Sequence, residues 1–426
     1  MKYKKYDRYK DSGIEWIGSI PKHWDVSSLR WYISCKSGEF ISTNEVEKEH
    51  KFNKVYKVIG GNGVMGYCNK YNVENETVAI GRVGALCGNI HLIDEKVWIT
   101  DNSLLLTYVD NRLNLDYLKM VLECINLNRF STSTAQPLIT GETIKTRKIA
   151  IPSFYEQEKI VKFLDKKTSE IDKLIEEKEK LIELLKEKRE AIITEAVTKG
   201  LDKNVKMKDS GVEWIGEIPE SWGINKIRYS TYVKGRIGWQ GLKSDEFIDE
   251  GPYLVTGTDF KDGKVNWGTC YHISNERYEE APAIQLKEKD LLITKDGTIG
   301  KIAIVKEKPD KAILNSGIFV TRNIDDSYLT EYMYYILTSN IFDRYIKYME
   351  TGSTIKHLYQ ETFINFSYPL PKLEEQKNII KYLDEKINIF DKLIEENYLE
   401  LNMLNNYKKS LISEVVTGKI DVRNEV

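Results

Sequence analysis

The sequence predicts an α+β chain. Two tandem mixed α/β globular domains are separated by two long helices that pair as an antiparallel coiled coil with a pseudo-twofold. Three observations predict this. Residues 10–18 read KDSGIEWIG and return 198 positions later as KDSGVEWIG at 208–216, each running on through Ile-Pro to a second tryptophan, Trp24 or Trp222. Glu156-Gln157, KFLD at 162–165 and IDKLIEE at 171–177 reappear 219 positions later as Glu375-Gln376, KYLD at 381–384 and FDKLIEE at 390–396. The interior of the second copy is therefore 21 residues longer. Third, a highly charged stretch without Pro or Gly follows each globular copy. A self-similar pattern on this scale means that each copy is a folded unit.

At 426 residues the chain far exceeds about 150 per domain, enough for several cores. The order predicted is an N-terminal segment with a first apolar clasp (1–24), a first globular domain (25–150), a central helix (151–200), a linker repeating the clasp (201–222), a second globular domain (223–370), a C-terminal helix (371–418) and a tail (419–426). The clasps, built on Trp16 and Trp24 and on Trp214 and Trp222, are expected to pack on the helices rather than stack on bases.

The first helix is read from residue 156 to about 199. Of the 35 residues from 156 to 190, 11 are acidic and 10 basic, so most of its surface is solvated. Ile160, Leu164, Ile171, Leu174, Leu181, Leu185 and Ile192 fall on a seven-residue seam, with lysines at the remaining positions, and Ile175 and Ile182 widen the stripe beyond a bare seam. The second helix carries Ile379, Leu383, Phe390, Leu393, Leu404, Tyr407 and Leu411 at the matching places. Gly200 and Gly418 end them, as helix punctuation expects.

Within the globular copies, strand-like runs alternate with glycine turns: 54–59, Gly60 to Gly63 and 77–84 in the first, 253–257 and 290–301 in the second. Helical patterns follow at 115–127 and 328–349. Gly84 and Gly88 are matched with Gly297 and Gly300, and Asn102-Ser103 with Asn315-Ser316. None of the glycine loops has the spacing that cradles a nucleotide phosphate. The polar side chains on and around them, Asn62, Arg82, Gln136, Lys145, Arg147, Lys295, Lys301, Ser353, Thr354, Lys356 and His357, are of the types that reach DNA phosphates and base edges. Each taken singly reads better as ordinary solvated surface.

Composition excludes several classes. With 63 basic and 65 acidic residues the net charge is near zero, which is silent on nucleic acid unless the charge is segregated. No window of about 18 apolar residues exists and no apolar run follows the first six residues, so the expectation is a cytoplasmic protein with no membrane partner. The five cysteines are odd in number with no C-x-x-C, and the five histidines lie near none of them at ligand spacing, so neither a disulfide framework nor a metal site is expected. None of the nine prolines adjoins another, so the [DN]-P-P-[YFW] loop of an adenine methyltransferase is absent, and no carboxylate cluster resembles a nuclease site. The chain is expected to be non-catalytic and to hold no cofactor.

The repeated D-S-G-[IV]-E-W-I-G-x-I-P-x-x-W opening, the P-x-x-x-E-Q-x-x-I-[VI]-K-[FY]-L-D start of each helix, and the [IL]-[ST]-E-x-V-T endings at 193–198 and 412–417 resemble the DNA specificity subunit of type I restriction and modification systems. The resemblance spans essentially the whole chain. Residues 63–71, 134–138 and 352–358 also look like sequence that recurs in its recognition domains. The resemblance implies that each globular domain is a target recognition domain reading one half of a split sequence in double-stranded DNA. It implies that the helices set the spacer and dock two methyltransferase subunits, through which restriction subunits join. S-adenosylmethionine, ATP and Mg would then belong to the partners. Because the two surfaces differ, the half-sites should differ. The alternative is a non-catalytic coiled-coil scaffold, or the recognition protein of another DNA-processing assembly.

Overall fold

The computed structural model describes residues 3–132, 137–236, 242, 244–349 and 357–425. These form two compact units, Met1–Glu179 with Leu399–Val426, and Lys180–Tyr398.

In the first unit a four-stranded antiparallel sheet runs in the order Ile33–Ser37, Ser103–Val109, Thr77–Gly81, Ile90–Ile93. A second sheet places Tyr56–Gly60 between Gly63–Cys68, antiparallel, and Val97–Ile99, parallel. The second unit repeats both sheets. Thr231–Gly235, Ile318–Asn323, Leu291–Thr294 and Ile302–Ile304 take the first order, and Ile248–Val255 lies between Tyr271–His272 and Ala312–Leu314. Thr77–Gly81 and Leu291–Thr294 are buried along their whole length, as strands covered on both faces must be, and accordingly carry continuous apolar runs. The longer interior of the second unit is spent on residues 256–270, where the first has a tight turn, and on the helix Asn275–Glu279. The helical pattern read at 328–349 is two helices, Thr330–Leu337 and Asn340–Met349, interrupted at Thr338-Ser339.

Hydrogen bonding explains why the Glu-Gln dipeptide recurs. Fully buried Gln157 accepts from the Asn114 amide at 2.8 Å and donates to the carbonyls of Arg112 (2.9 Å) and Pro152 (3.0 Å). Gln376 does the same with Leu329, Ser327 and Pro371, at 2.8, 3.0 and 2.9 Å. Each glutamine thus satisfies backbone groups at the start of its long helix and in the loop before the domain's own helix, groups costly to bury unpaired.

The clasps pack as expected. Ile17, Ile20 and Trp24 share a core with Ile160, Leu164, Leu411 and Val415 in the first unit; Ile215, Ile218 and Trp222 share one with Ile193, Val197, Ile379 and Leu383 in the second. Trp24 and Trp222 are buried, while Trp16 and Trp214 line the edges. Each clasp also closes on a helix end. Gly418, at φ 72°, leaves room where a β-carbon would sit 2.3 Å from Pro21 Cδ, and Gly200, at φ 74°, where it would lie 3.2 Å from Trp222 Cζ2. Only glycine adopts this left-handed helix stop cheaply. Gly418→Ala is expected to destabilise the protein by about 2–4 kcal/mol and Gly200→Ala by about 1–2, read by thermal unfolding, since only the first adds a hard clash to the backbone strain. Equal effects would show that the clash relaxes freely.

The long helices span Phe154–Lys199 and Leu373–Val416. Their buried line departs from the seven-residue seam. Ile160, Leu164 and Ile171 are buried, but Leu174, Leu181 and Leu393 are 47, 39 and 39% exposed, and Leu185, Ile192, Phe390 and Leu404 are half-buried. In the first helix the line runs instead through Ile160, Ile171, Ile182 and Ile193, 11 residues apart, with half-buried Ile175 one turn after Ile171, whereas in the second the seam residues Ile379, Leu383 and Leu411 are buried. Eleven residues in three turns is a period of about 3.67, close to the relaxed 3.6, so the stripe stays on one face without the left-handed supercoil that a heptad demands. In the first unit Asp172 pairs with Lys408 at 2.6 Å and Lys178 with Glu400 at 2.6 Å; in the second, Arg189 pairs with Asp391 at 2.7 Å.

Among the described residues, no helix is long and apolar enough to cross a membrane.

Candidate nucleic-acid interface

In each domain an inner strand of the larger sheet, four-stranded in the first unit and six-stranded in the second, ends in a glycine-bearing loop that a later segment clamps from the side. In the first unit, loop 82–89 follows Thr77–Gly81, and the Ile139 amide donates to the Arg82 carbonyl at 2.9 Å while Val83 bridges Leu138. In the second, loop 295–301 follows Leu291–Thr294, the Leu358 amide donates to the Lys295 carbonyl at 2.8 Å, and Asp296 bridges His357. Arg82 and Lys295 are thus equivalent, as are Val83 and Asp296, and Leu138 and His357. The glycines match in the same way: Gly84 and Gly297 sit at φ 88° and 69°, and the amides of Gly88 and Gly300 donate back to the ends of their strands, Gly81 and Thr294.

The match of Asn102-Ser103 with Asn315-Ser316 is shifted by two. The Arg82 amide donates to Asn102 O and that of Lys295 to Gly317 O, while the amides of Thr100 and Asn315 donate to Ile59 O and Val255 O. Thr100 is therefore the counterpart of Asn315. The shared Asn-Ser letters misled because backbone register, not side-chain identity, fixes the correspondence.

The sequence-selected side chains fall into three groups. Asn62 and Arg82 lie at the loop of the first unit, and Lys295, Lys301 and His357 at that of the second. Asn62 is exposed in the turn between Tyr56–Gly60 and Gly63–Cys68, and its Oδ1 accepts from Asn89 Nδ2 at 3.2 Å. Lys301 is exposed at the loop end, and Lys295 Nζ lies 5.0 Å from the centre of the Phe319 ring. Arg82 is turned inward, donating to Ser37 Oγ at 2.9 Å and Asp101 O at 3.4 Å, so it braces the loop. Lys145 and Arg147 stand apart on and after the short helix Gly141–Lys145: Lys145 pairs with Glu142 at 3.0 Å, and the Arg147 guanidinium lies 4.3 Å from the Phe130 ring centre and donates to Thr143 O at 3.0 Å. Gln136, Ser353, Thr354 and Lys356 lie outside the described residues.

Sequence reasoning did not single out Asp296, Val83 or exposed Leu86, and took Leu138 only as part of the 134–138 stretch; for Asp296, Val83 and Leu138 the bridges mark the position. Near Gly63, burial pushes the His91 imidazole below its ordinary range, so the ring is neutral at neutral pH and adds no cation there.

The exposed amide of Asn62 in the first unit, and the lysines of the second, each beside backbone kinked at glycine, are groups of the kinds that meet phosphates and base edges. Among the described residues there is no cluster of ligands for a metal.

A family model for the type I restriction modification DNA specificity domain matches residues 21–184 and 239–403. A relative from Methanocaldococcus jannaschii, the type I restriction enzyme MjaVIII specificity subunit, is 25% identical over 453 residues, spanning 100% of this chain and 98% of the relative. The type I restriction enzyme EcoBI specificity subunit of Escherichia coli is 23% identical over 306 residues, spanning 70% of this chain and 63% of its own length. Among solved structures, a chain from work on complex assembly and conformational transition of the type I R-M system is similar with a TM-score of 0.68 at 15% identity, over 94% of this chain and 99% of that one, a likeness of fold.

Proposed function

The chain belongs to the type I restriction modification DNA specificity family, and from that premise we propose that it is the sequence-specific recognition subunit of a type I complex, reading a bipartite, asymmetric target in double-stranded DNA. The observation that carries this reading is the pair of clamped loops: one backbone arrangement, built twice, with different side chains at equivalent positions. Two readers of one fold meet similar faces of the duplex, and different loop chemistry makes their half-sites unlike. The phosphate-contacting part falls to lysines such as Lys295 and Lys301, with the near-neutral chain relying on partner surface for the rest of the salt-sensitive affinity.

In this proposal the long helices pair as an antiparallel coiled coil that relates the domains by a pseudo-twofold, sets the gap between half-sites and docks two methyltransferase subunits, with restriction subunits joining through those. The ion pairs support antiparallel pairing, because residue numbers fall from Lys408 to Glu400 on one helix as they rise from Asp172 to Lys178 on the other. Each unit contains the start of one long helix and the end of the other, which supports the pseudo-twofold. S-adenosylmethionine, ATP and Mg belong to the partners, and this chain contributes recognition in the cytoplasm, not catalysis.

The test is reconstitution. The purified chain is expected to transfer no methyl group from S-adenosylmethionine to DNA, and a methyltransferase partner to gain site-specific methylation only when this chain is added. Methyl transfer by the isolated chain, or a partner equally active and specific without it, would overturn the proposal.

A further inference from the structure

The two clamps hold opposite chemistry at one matched place. Where the first domain bridges Val83 to Leu138, the second bridges Asp296 to His357. Resting on the reading of this chain as a DNA-recognition subunit, we propose that Asp296, held by His357, reads one base of the second half-site by accepting a hydrogen bond from the exocyclic amino group of adenine or cytosine in the major groove.

The geometry supplies what such a reader needs, a carboxylate held in place by a neighbour and standing at the surface. His357 Nδ1 is the hydrogen-bond partner of Asp296 Oδ1. The hydrogen bond to the imidazole fixes the rotamer of the acid. The acid packs beside Gly317, where a β-carbon would lie 3.6 Å from Asp296 Cβ and 3.8 Å from its Oδ2. The Asp296 side chain is 45% exposed and that of His357 34%, so the pair stands at the surface. An exposed ion pair adds little to stability, and stability therefore gives no reason for it here.

Charge decides what such a carboxylate can meet. Phosphates and the major-groove acceptors of guanine and thymine repel it, whereas adenine N6 and cytosine N4 are the donors that groove offers. Lys295 and Lys301, flanking it on the same loop, offset the approach of a negative group to DNA. In the first domain the matched residues have no acceptor: Val83 and Leu138 are apolar, and Leu86 beside them is 50% exposed. That surface suits the methyl group of thymine.

The experiment uses the full chain assembled with its methyltransferase partner and maps the methylated motif for the parent, Asp296→Asn, and the double variant Asp296→Val with His357→Leu. The double variant installs the kind of apolar pair that the first domain already holds at this bridge, which protects folding. For the parent, one position of the second half-site should be restricted to adenine or cytosine on the contacted strand. In the double variant discrimination at that position alone should fall by about 5- to 150-fold, with the first half-site and the gap unchanged. An active double variant with an unaltered motif overturns the assignment. A variant complex that methylates nothing is scored by binding to duplexes altered one base at a time: discrimination lost at one position supports the assignment, and discrimination retained at every position overturns it. If the parent complex recognises no split motif, the proposed function fails instead.

Discussion

Exchanging residues 25–151 for the matching domain of a relative is expected to replace one half of the methylated target and leave the other half and the gap intact. The boundary is set by strand pairing: Lys148–Ile151 pairs with Asp25–Ser28, so cutting outside both moves the pair as one piece. The domain has its own apolar clusters, around Ile59, Ala79 and Ile99 and around Val58 and Trp98, and these travel with it. What the incoming domain must keep are the contacts to the rest of the first unit, the Tyr117 hydroxyl donating to Val416 O at 3.3 Å and the backbone groups bound by Gln157. Each wrong base pair costs about 1–3 kcal/mol, roughly additively. Several at once should therefore lower affinity for the original target by about a thousandfold or more. Methylation mapping decides it; a change in both halves would mean that the domains do not read independently.

Duplicating residues 176–179 in the first long helix is expected to lengthen the gap and preserve both half-sites. Four residues add about 6 Å of helix, one or two base pairs of DNA rise, and rotate the remainder of the helix by only about 40° from its former facing. The site suits an insertion because Glu176, Glu177, Glu179 and Lys180 are exposed, whereas Ile193, Ala196 and Val197 nearer the helix end are buried against the second clasp. The native target, with its original gap, should lose methylation. An active variant with an unchanged gap would show that the helices do not set it.

Much of this architecture was legible because duplication writes the same constraint twice. The D-S-G-x-E-W motif marks the clasp since a helix end must be covered, and Glu-Gln marks the helix start since buried amides and carbonyls must be paired. The seam was legible only in part. Leu174, Leu181 and Leu393 fit a heptad by their letters, yet isoleucines 11 apart define the buried line, and hydrophobicity alone does not separate periods of 3.5 and 3.67 over a few turns. The interface was the least legible. Arg82 looked outward in the sequence and is braced inward, while Asp296 gains its significance from His357, 61 residues away, through a bridge that no local pattern announces. Loops that diverge to read different bases keep their backbone and change their letters, so sequence comparison between the two copies fails where function differs most.

In the proposed function one chain carries two independent readers of a split DNA sequence. The most direct measurement is genome-wide methylation mapping in a host that expresses this chain with its methyltransferase partner, against a host that expresses the partner alone. The prediction is a single new motif made of two different specified halves separated by a fixed unspecified gap. A continuous motif, a perfectly palindromic one, or a methylation pattern identical in the two hosts would contradict it.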